Sequence, residues 1–256
     1  MRVLVCVKRV PAPGARIPLM ADARAIDAAN LGHTVSPHEE CAIEEAVQIV
    51  ERLGGSVTVL TLGDDASIEQ LRTAVSVGAD HAVLAVRNGE DWDPQATAQG
   101  LTKVISDLES EGGTFDLVLF GNESADAGNF QVGIRVARAL QRPVVNGIKG
   151  IALDSESARA KRQTPAGFEV YSVPLPAVIG VKEGINLPRY PTLPGRMKAR
   201  KAEIDQRTVS QDAGGLRLQR LVHPPQVESS TEILGSGAEA APRVVDILKE
   251  LGLVDA

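Results

Sequence analysis

The chain has 256 residues, 43% of them hydrophobic, with a formal net charge of -6; it can fill a packed core in one large or two small domains, and its acidity argues against nucleic acid as the main partner. Two cysteines, Cys6 and Cys41, supply neither a disulfide framework nor a CxxC metal site. No apolar run approaches the roughly 20 residues of a bilayer span, and the apolar part of MRVLVCVKRV is too short for a signal peptide, so the chain reads as cytoplasmic, unprocessed and without membrane insertion.

The pattern then alternates. Val3–Val7 reads as a strand, a helix follows from about His38 to Leu53, and Val57–Leu62, Ser67–Val77 and Ala82–Val86 read as strand, helix and strand. A βαβαβ order of this kind predicts a parallel sheet. An amphipathic helix from Pro94 to Leu108, with Ala98, Leu101, Ile105 and Leu108 on one face, leads to a strand at Leu117–Phe120 and a helix from about Phe130 to Leu140. Gly54-Gly55 and Gly112-Gly113 sit where helices must stop and the chain turn back. From Ile148 to Val173 short alternating runs predict an antiparallel β excursion, followed by an apolar run at Ala177–Val181.

Beyond Ile204 the chain reads as an extended tail. It is polar from Gln206 to Gln211, punctuated by Gly214-Gly215 and Pro224-Pro225, and small and polar from Ser229 to Ala240. A helix with one apolar face closes it at Pro242–Leu251, docked on this chain or on a partner. The expected fold class is α/β: a doubly wound, mostly parallel sheet with helices on both faces, an antiparallel excursion, and a C-terminal tail ending in a helix. The expected domains are 1–204 and an extension over 205–256.

Open α/β sheets bind ligands beyond the carboxyl ends of their strands, and three such turns stand out. Lys8 and Arg9 directly follow the first strand. Ser36-Pro37-His38-Glu39-Glu40 opens a helix, with Ser36 suited to the cap and Pro37 to the first helical position; taken alone, an ordinary N-cap is the favoured reading of this turn. The third runs from Gly121 to Gly133, a small polar loop before a helix whose free N–H groups can hold a phosphate. Neither a lysine-bearing phosphate loop nor a GxGxxG turn occurs, and His33, His38, His81 and His223 lack metal-ligand spacing. These turns point to a nucleotide held by backbone and helix termini, with no catalytic acid, base or nucleophile. Cys6, inside an apolar strand, reads as a packing residue.

The stretch from Pro174 to Glu203 places an apolar strand before a segment rich in proline. Pro188, Pro191 and Pro194 remove backbone donors and bar helix and central strand, so an exposed loop is expected after Asn186. Arg196, Lys198, Arg200 and Lys201 then form a basic run in an acidic protein, which suits docking to an acidic surface; a solvated loop is the alternative.

Several of these segments carry a resemblance together: VLVCVKRVP, SPHEECAIEEA, VTVLTLG, LRTAVSVGAD, GNESADAGNFQVG and, above all, LPAVIGVKEGINLPRYPTLPGRMKARKAEI. In this order and spacing they resemble the β subunit of electron transfer flavoprotein, the family that includes FixA, over Met1 to about Ile204. The resemblance implies the small subunit of a heterodimer, paired with an α subunit, that shuttles single electrons and is not itself an enzyme. It implies a structural AMP at Cys6, at Ser36, Pro37, His38 and Glu39, at Leu62, and along Gly121, Asn122, Glu123, Ser124, Ala125, Asp126, Ala127, Gly128, Asn129, Phe130, Gln131 and Val132.

The resemblance further implies that the FAD belongs mainly to the α subunit at the interface, and that residues 205–256 wrap on that subunit. Residues 187–201 resemble the family's recognition loop, through which Leu193 docks on flavin dehydrogenases of the acyl-CoA dehydrogenase type, with Pro194 and Arg196 beside it and Lys198 and Lys201 as steering charges. Electrons then pass toward electron transfer flavoprotein–quinone oxidoreductase or a similar acceptor. Ser36 stands where the family commonly has Asn, and Asp126-Ala127-Gly128 replaces an acidic, glycine-rich turn. Electron-bifurcating relatives, with a second FAD in place of AMP, tend to carry Pro-Asp after the first strand; here Ala12 follows Pro11, so AMP is expected. A free-standing nucleotide sensor is the remaining alternative.

Overall fold

A computed structural model of the chain describes residues 1–14, 16–87, 89, 92–154, 156–210, 214–225 and 231–254. Gln211, Ser229 and Ser230 of the expected polar tail lie outside the described residues. The order is β1 (Arg2–Val7), β2 (Val10–Pro11), β3 (His33–Thr34), α1 (Pro37–Leu53), β4 (Ser56–Gly63), α2 (Ile68–Val77), β5 (His81–Val86), α3 (Pro94–Gly112), β6 (Leu117–Gly121) and α4 (Val132–Ala139). It continues through β7 (Val144–Leu153), β8 (Ser157–Thr164), β9 (Gly167–Pro174), β10 (Ala177–Val181), α5 (Leu193–Lys201), β11 (Ile204–Thr208) and α6 (Ala241–Glu250).

A nine-stranded sheet runs in the order β11-β5-β4-β1-β6-β10-β7-β8-β9. The first seven strands pair in parallel, and β7-β8-β9 pair antiparallel as the predicted excursion. Alternate residues of β1 serve two cores, as a strand buried on both faces requires. Val3, Val5 and Val7 join Ala46, Val47 and Ile49 of α1 and Leu71 and Val75 of α2. Leu4 and Cys6 join Leu101 and Ile105 of α3 and Val136 of α4 on the other face. The helices stop as their glycines predict: Gly54 caps α1 at φ 76° and Gly113 caps α3 at φ 90°, values that favour glycine.

Two sequence expectations are corrected. Residues 193–201 form α5 and not a loop. Pro194 sits in the first turn, where a missing N–H costs nothing, and Thr192 Oγ1 accepts the Gly195 N–H at 3.1 Å as its cap, so proline here starts a helix. Second, Ile204–Thr208, expected at the head of a tail, is edge strand β11, paired along β5 from Ile204 opposite Ala82 to Thr208 opposite Val86. Its polar composition suits an edge with little buried surface, and Arg207 ties it to α3 through Glu111. The compact unit that holds the sheet accordingly runs from Met1 to Arg220, and Leu221–Ala256, with α6, forms a second unit.

Candidate functional site

Beyond β1 the chain moves through α1 to β4 and β5 on one side, then crosses to β6 on the other. That reversal is a topological switch point, where the loops leaving β1 and β6 diverge and open a crevice at their carboxyl ends. A cleft of about 380 Å³ lies there. It is lined by Cys6 to Arg9 after β1, Leu62 to Asp64 at the end of β4, and Phe120 to Ser124 at the end of β6.

The expected positions divide into two groups. Cys6, Glu39, Leu62, Gly121, Asn122, Glu123, Ser124, Asp126, Ala127, Asn129, Phe130, Gln131 and Val132 line the cleft. Ser36, Pro37, His38, Ala125 and Gly128 do not, yet two of them shape it. Ser36 is fully buried, and its hydroxyl accepts the Ala125 N–H at 2.9 Å, so it holds the loop rather than facing the cleft. His38 Nδ1 accepts the Glu183 N–H at 2.7 Å, while its Nε2 lies 3.3 Å from Glu123 Oε1. The loop after β6 is thus fastened to the first turn of α1 before any ligand arrives.

Glu39 is the hinge of this arrangement. It closes back on the Ser36 N–H and also accepts the Lys8 N–H, each at 3.1 Å, joining the start of α1 to the end of β1. Burial pushes its carboxyl up to about 8, against the pull of those two N–H groups and the Lys8 ammonium. A Cβ on Gly121 would stand 2.7 Å from Glu39 Cγ, which explains a glycine at the strand end. Lys8 Nζ reaches Asp126 at 2.5 Å; burial raises the Asp126 carboxyl, the Lys8 charge lowers it, and the lowering wins. Cys6 is pushed well above the ordinary thiol range by burial, with Glu39 adding to it, so it carries no thiolate and packs as expected.

Strain gathers in the loop. Gly128 has φ 53° and Phe130 φ 55°. The second is costly for a bulky residue and turns the chain into α4, which starts at Val132, two residues later than the periodicity predicts. Gln131, Val132 and Gly133, at the start of that helix, line the cleft, and a helix start is a place that receives anions.

Sequence reasoning omitted other parts of the lining. Ile26 and Ala28 come from the segment between β2 and β3, His33 from β3 itself, Arg87 from the residue after β5, Trp92 from just before α3 and Thr97 from its first turn. None of these follows a local motif; Arg9, next to Lys8 after β1, and Trp92, the sole tryptophan, were the visible signals. Among the described residues no cluster of His, Cys, Asp and Glu is suited to a metal ion, and no helix is long and apolar enough to cross a membrane.

The docking candidates occupy a separate surface. Leu187, Tyr190 and Leu193 are 89%, 91% and 76% exposed, unusual for large apolar side chains. Pro194, Arg196 and Lys201 are exposed as well. Lys198 donates to the Ala79 carbonyl at 3.2 Å and lies 3.6 Å from Asp80, so it is partly committed within the chain. Arg189 clamps the segment to α1: its N–H and guanidinium hold Glu44 at 2.9 to 3.1 Å, and its outer nitrogens hold Glu51 at 2.6 and 2.9 Å. Asn186 Nδ2 adds bonds of 3.0 Å to the Cys41 carbonyl and to Glu45.

The family model of the electron transfer flavoprotein domain matches residues 24–212. Electron transfer flavoprotein subunit beta of Bacillus subtilis (strain 168) is 34% identical over 226 residues, covering 84% of this chain and 85% of its own. The protein of the same name from Mycobacterium tuberculosis (strain CDC 1551 / Oshkosh) is 33% identical over 215 residues, 82% of this chain and 79% of its own. Protein FixA of Sinorhizobium fredii (strain NBRC 101917 / NGR234) is 31% identical over 208 residues, 80% of this chain and 73% of its own.

Proposed function

The chain belongs to the electron transfer flavoprotein family, as its small subunit, and on that premise we propose that it holds AMP as a structural ligand in the cleft beyond β1 and β6. The observation that carries this reading is the cleft itself. Its volume suits a small ligand, and its polar loop is held in place by Ser36, His38 and Glu39 and ends at the start of a helix. The anionic phosphate fits a helix start and a neighbouring arginine, so the donor set matches the group.

The FAD of the α subunit supplies the one-electron chemistry. This chain's part is to complete the flavin's surroundings at the subunit interface, with the second unit, Leu221–Ala256, wrapping on the partner, and to present a docking surface to flavin dehydrogenases. Leu193 is the anchor of that surface. Its neighbours Pro191 and Pro194 limit the entropy lost on docking, and the exposed Arg196 and Lys201 steer acidic partners. Electrons leave toward a quinone oxidoreductase of the respiratory chain. No side chain of the cleft is asked to act as acid, base or nucleophile.

The test is mass spectrometry of the nucleotides released from the purified complex with the α subunit. AMP and one FAD per complex are expected. Two FAD would overturn the AMP reading in favour of electron bifurcation, and a stable ligand-binding monomer that never pairs with an α subunit would overturn the subunit reading.

A further inference from the structure

Among the described residues, two buried donors on side chains that line the cleft have no hydrogen-bond partner. Arg9 lines the cleft with its Nε buried and without an acceptor, and the side chain makes no ion pair among the described residues. Trp92 lines the same cleft, and its indole Nε1 is likewise buried without an acceptor. Its ring is fixed by packing: a Cβ on Gly100 would stand 3.0 Å from the Trp92 ring and 2.8 Å from Leu62 Cδ1. Buried donors are nearly always satisfied in folded proteins, so two of them on residues that line one cleft mark where an outside acceptor belongs.

Charge narrows the choice of acceptor. Asp64, Glu123 and Asp126 line the cleft as carboxylates, so a bound anion needs a cation that is not already committed. Lys8 is committed to Asp126 and Arg87 donates to the Gly89 carbonyl, whereas Arg9 has its Nε without an acceptor and no ion pair among the described residues.

We propose that Arg9 and Trp92 contact the cleft's ligand directly, the Arg9 guanidinium donating to a phosphate oxygen of a nucleoside monophosphate and the Trp92 N–H donating to another acceptor on the same molecule. The proposal rests on the reading of the cleft as a nucleotide site and adds two residues outside the positions that the family resemblance supplies. Arg9 gives the site its preference for a phosphorylated ligand over the bare nucleoside, and Trp92 adds affinity without that preference.

The experiment uses the full chain in complex with its α subunit, freed of nucleotide in mild denaturant and returned to native buffer with its flavin content verified. Equilibrium dialysis then measures AMP and adenosine. Arg9→Gln raises the Kd for AMP by about 10- to 100-fold, the loss of one charge-assisted hydrogen bond, and leaves adenosine unchanged. Arg9→Lys keeps the charge and retains part of the preference. Trp92→Phe keeps the ring packing and weakens AMP and adenosine alike, by about 3- to 10-fold. Wild-type AMP affinity in Arg9→Gln, or wild-type affinities in Trp92→Phe, overturns the corresponding assignment while leaving the nucleotide site standing. A wild-type complex that binds neither AMP nor adenosine overturns the nucleotide site and both assignments with it.

Discussion

Replacing Arg189 with methionine removes the clamp between the docking segment and α1. Glu44 is the partner that suffers, because its side chain is 5% exposed while that of Arg189 is 34% exposed. Stripping one member from a fully buried pair costs about 3–5 kcal/mol; the solvent at Arg189 screens the pair and reduces this to about 2 kcal/mol. Glu51, 56% exposed, is rehydrated and contributes little. In a chain of this size the loss corresponds to a Tm lower by about 4–8 °C, measured by calorimetry on the complex with the α subunit. The double variant Glu44→Leu with Arg189→Met leaves no stranded carboxylate and recovers about 1 kcal/mol relative to Arg189→Met alone.

The pH dependence gives the clamp a second signature. Burial works to raise the Glu44 carboxyl, but hydrogen bonds from Arg189 and Gln48 hold it below the ordinary value. A carboxyl with a depressed folded-state pKa stabilises above its unfolded pKa of about 4.3 and loses that contribution as pH falls through the folded value. Arg189→Met therefore loses less stability than the wild type between about pH 5 and 3. A double variant whose loss equals the sum of the single losses, together with an unchanged acid limb, refutes the clamp.

Three further outcomes are expected. Leu193→Ala raises the KM for a donor dehydrogenase by about 10- to 100-fold, the worth of one leucine buried on docking, with nucleotide content unchanged; loss of nucleotide with normal transfer contradicts the docking role. Glu39 has a raised folded-state value, about 8, so its contribution is complete below its unfolded pKa and is lost as pH rises through about 8. Urea midpoints between pH 6 and 9 therefore fall for the wild type and stay level for Glu39→Gln, and equal slopes would rule this out. Gly121→Ala brings a Cβ to 2.7 Å from Glu39 Cγ and 3.2 Å from its backbone N, costing about 1–3 kcal/mol and releasing nucleotide; a variant of wild-type stability and nucleotide content argues against the close approach.

The sheet was legible because its strands are short apolar runs bounded by glycine, and α1 because Pro37 and Gly54 mark its ends. The turns after β1 and β6 were legible from the rule that places ligands beyond strand ends. α5 was hidden because proline reads as a breaker unless the cap at Thr192 is recognised along with it. β11 was hidden because its hydrogen bonds to β5 need no apolar side chains. Trp92 and Ile26 reach the cleft through tertiary folding from segments with no local motif, and the role of Ser36 depends on an N–H, at Ala125, that is 89 residues away.

Helix α1 bears at its first turn on the loop over the cleft and, through Glu44 and Glu51, on the docking segment. Opening α1 therefore disturbs both segments at once. Amide hydrogens of α1 are therefore expected to exchange in step with those of the loop after β6 and of residues 186–189, which hydrogen exchange read by mass spectrometry checks.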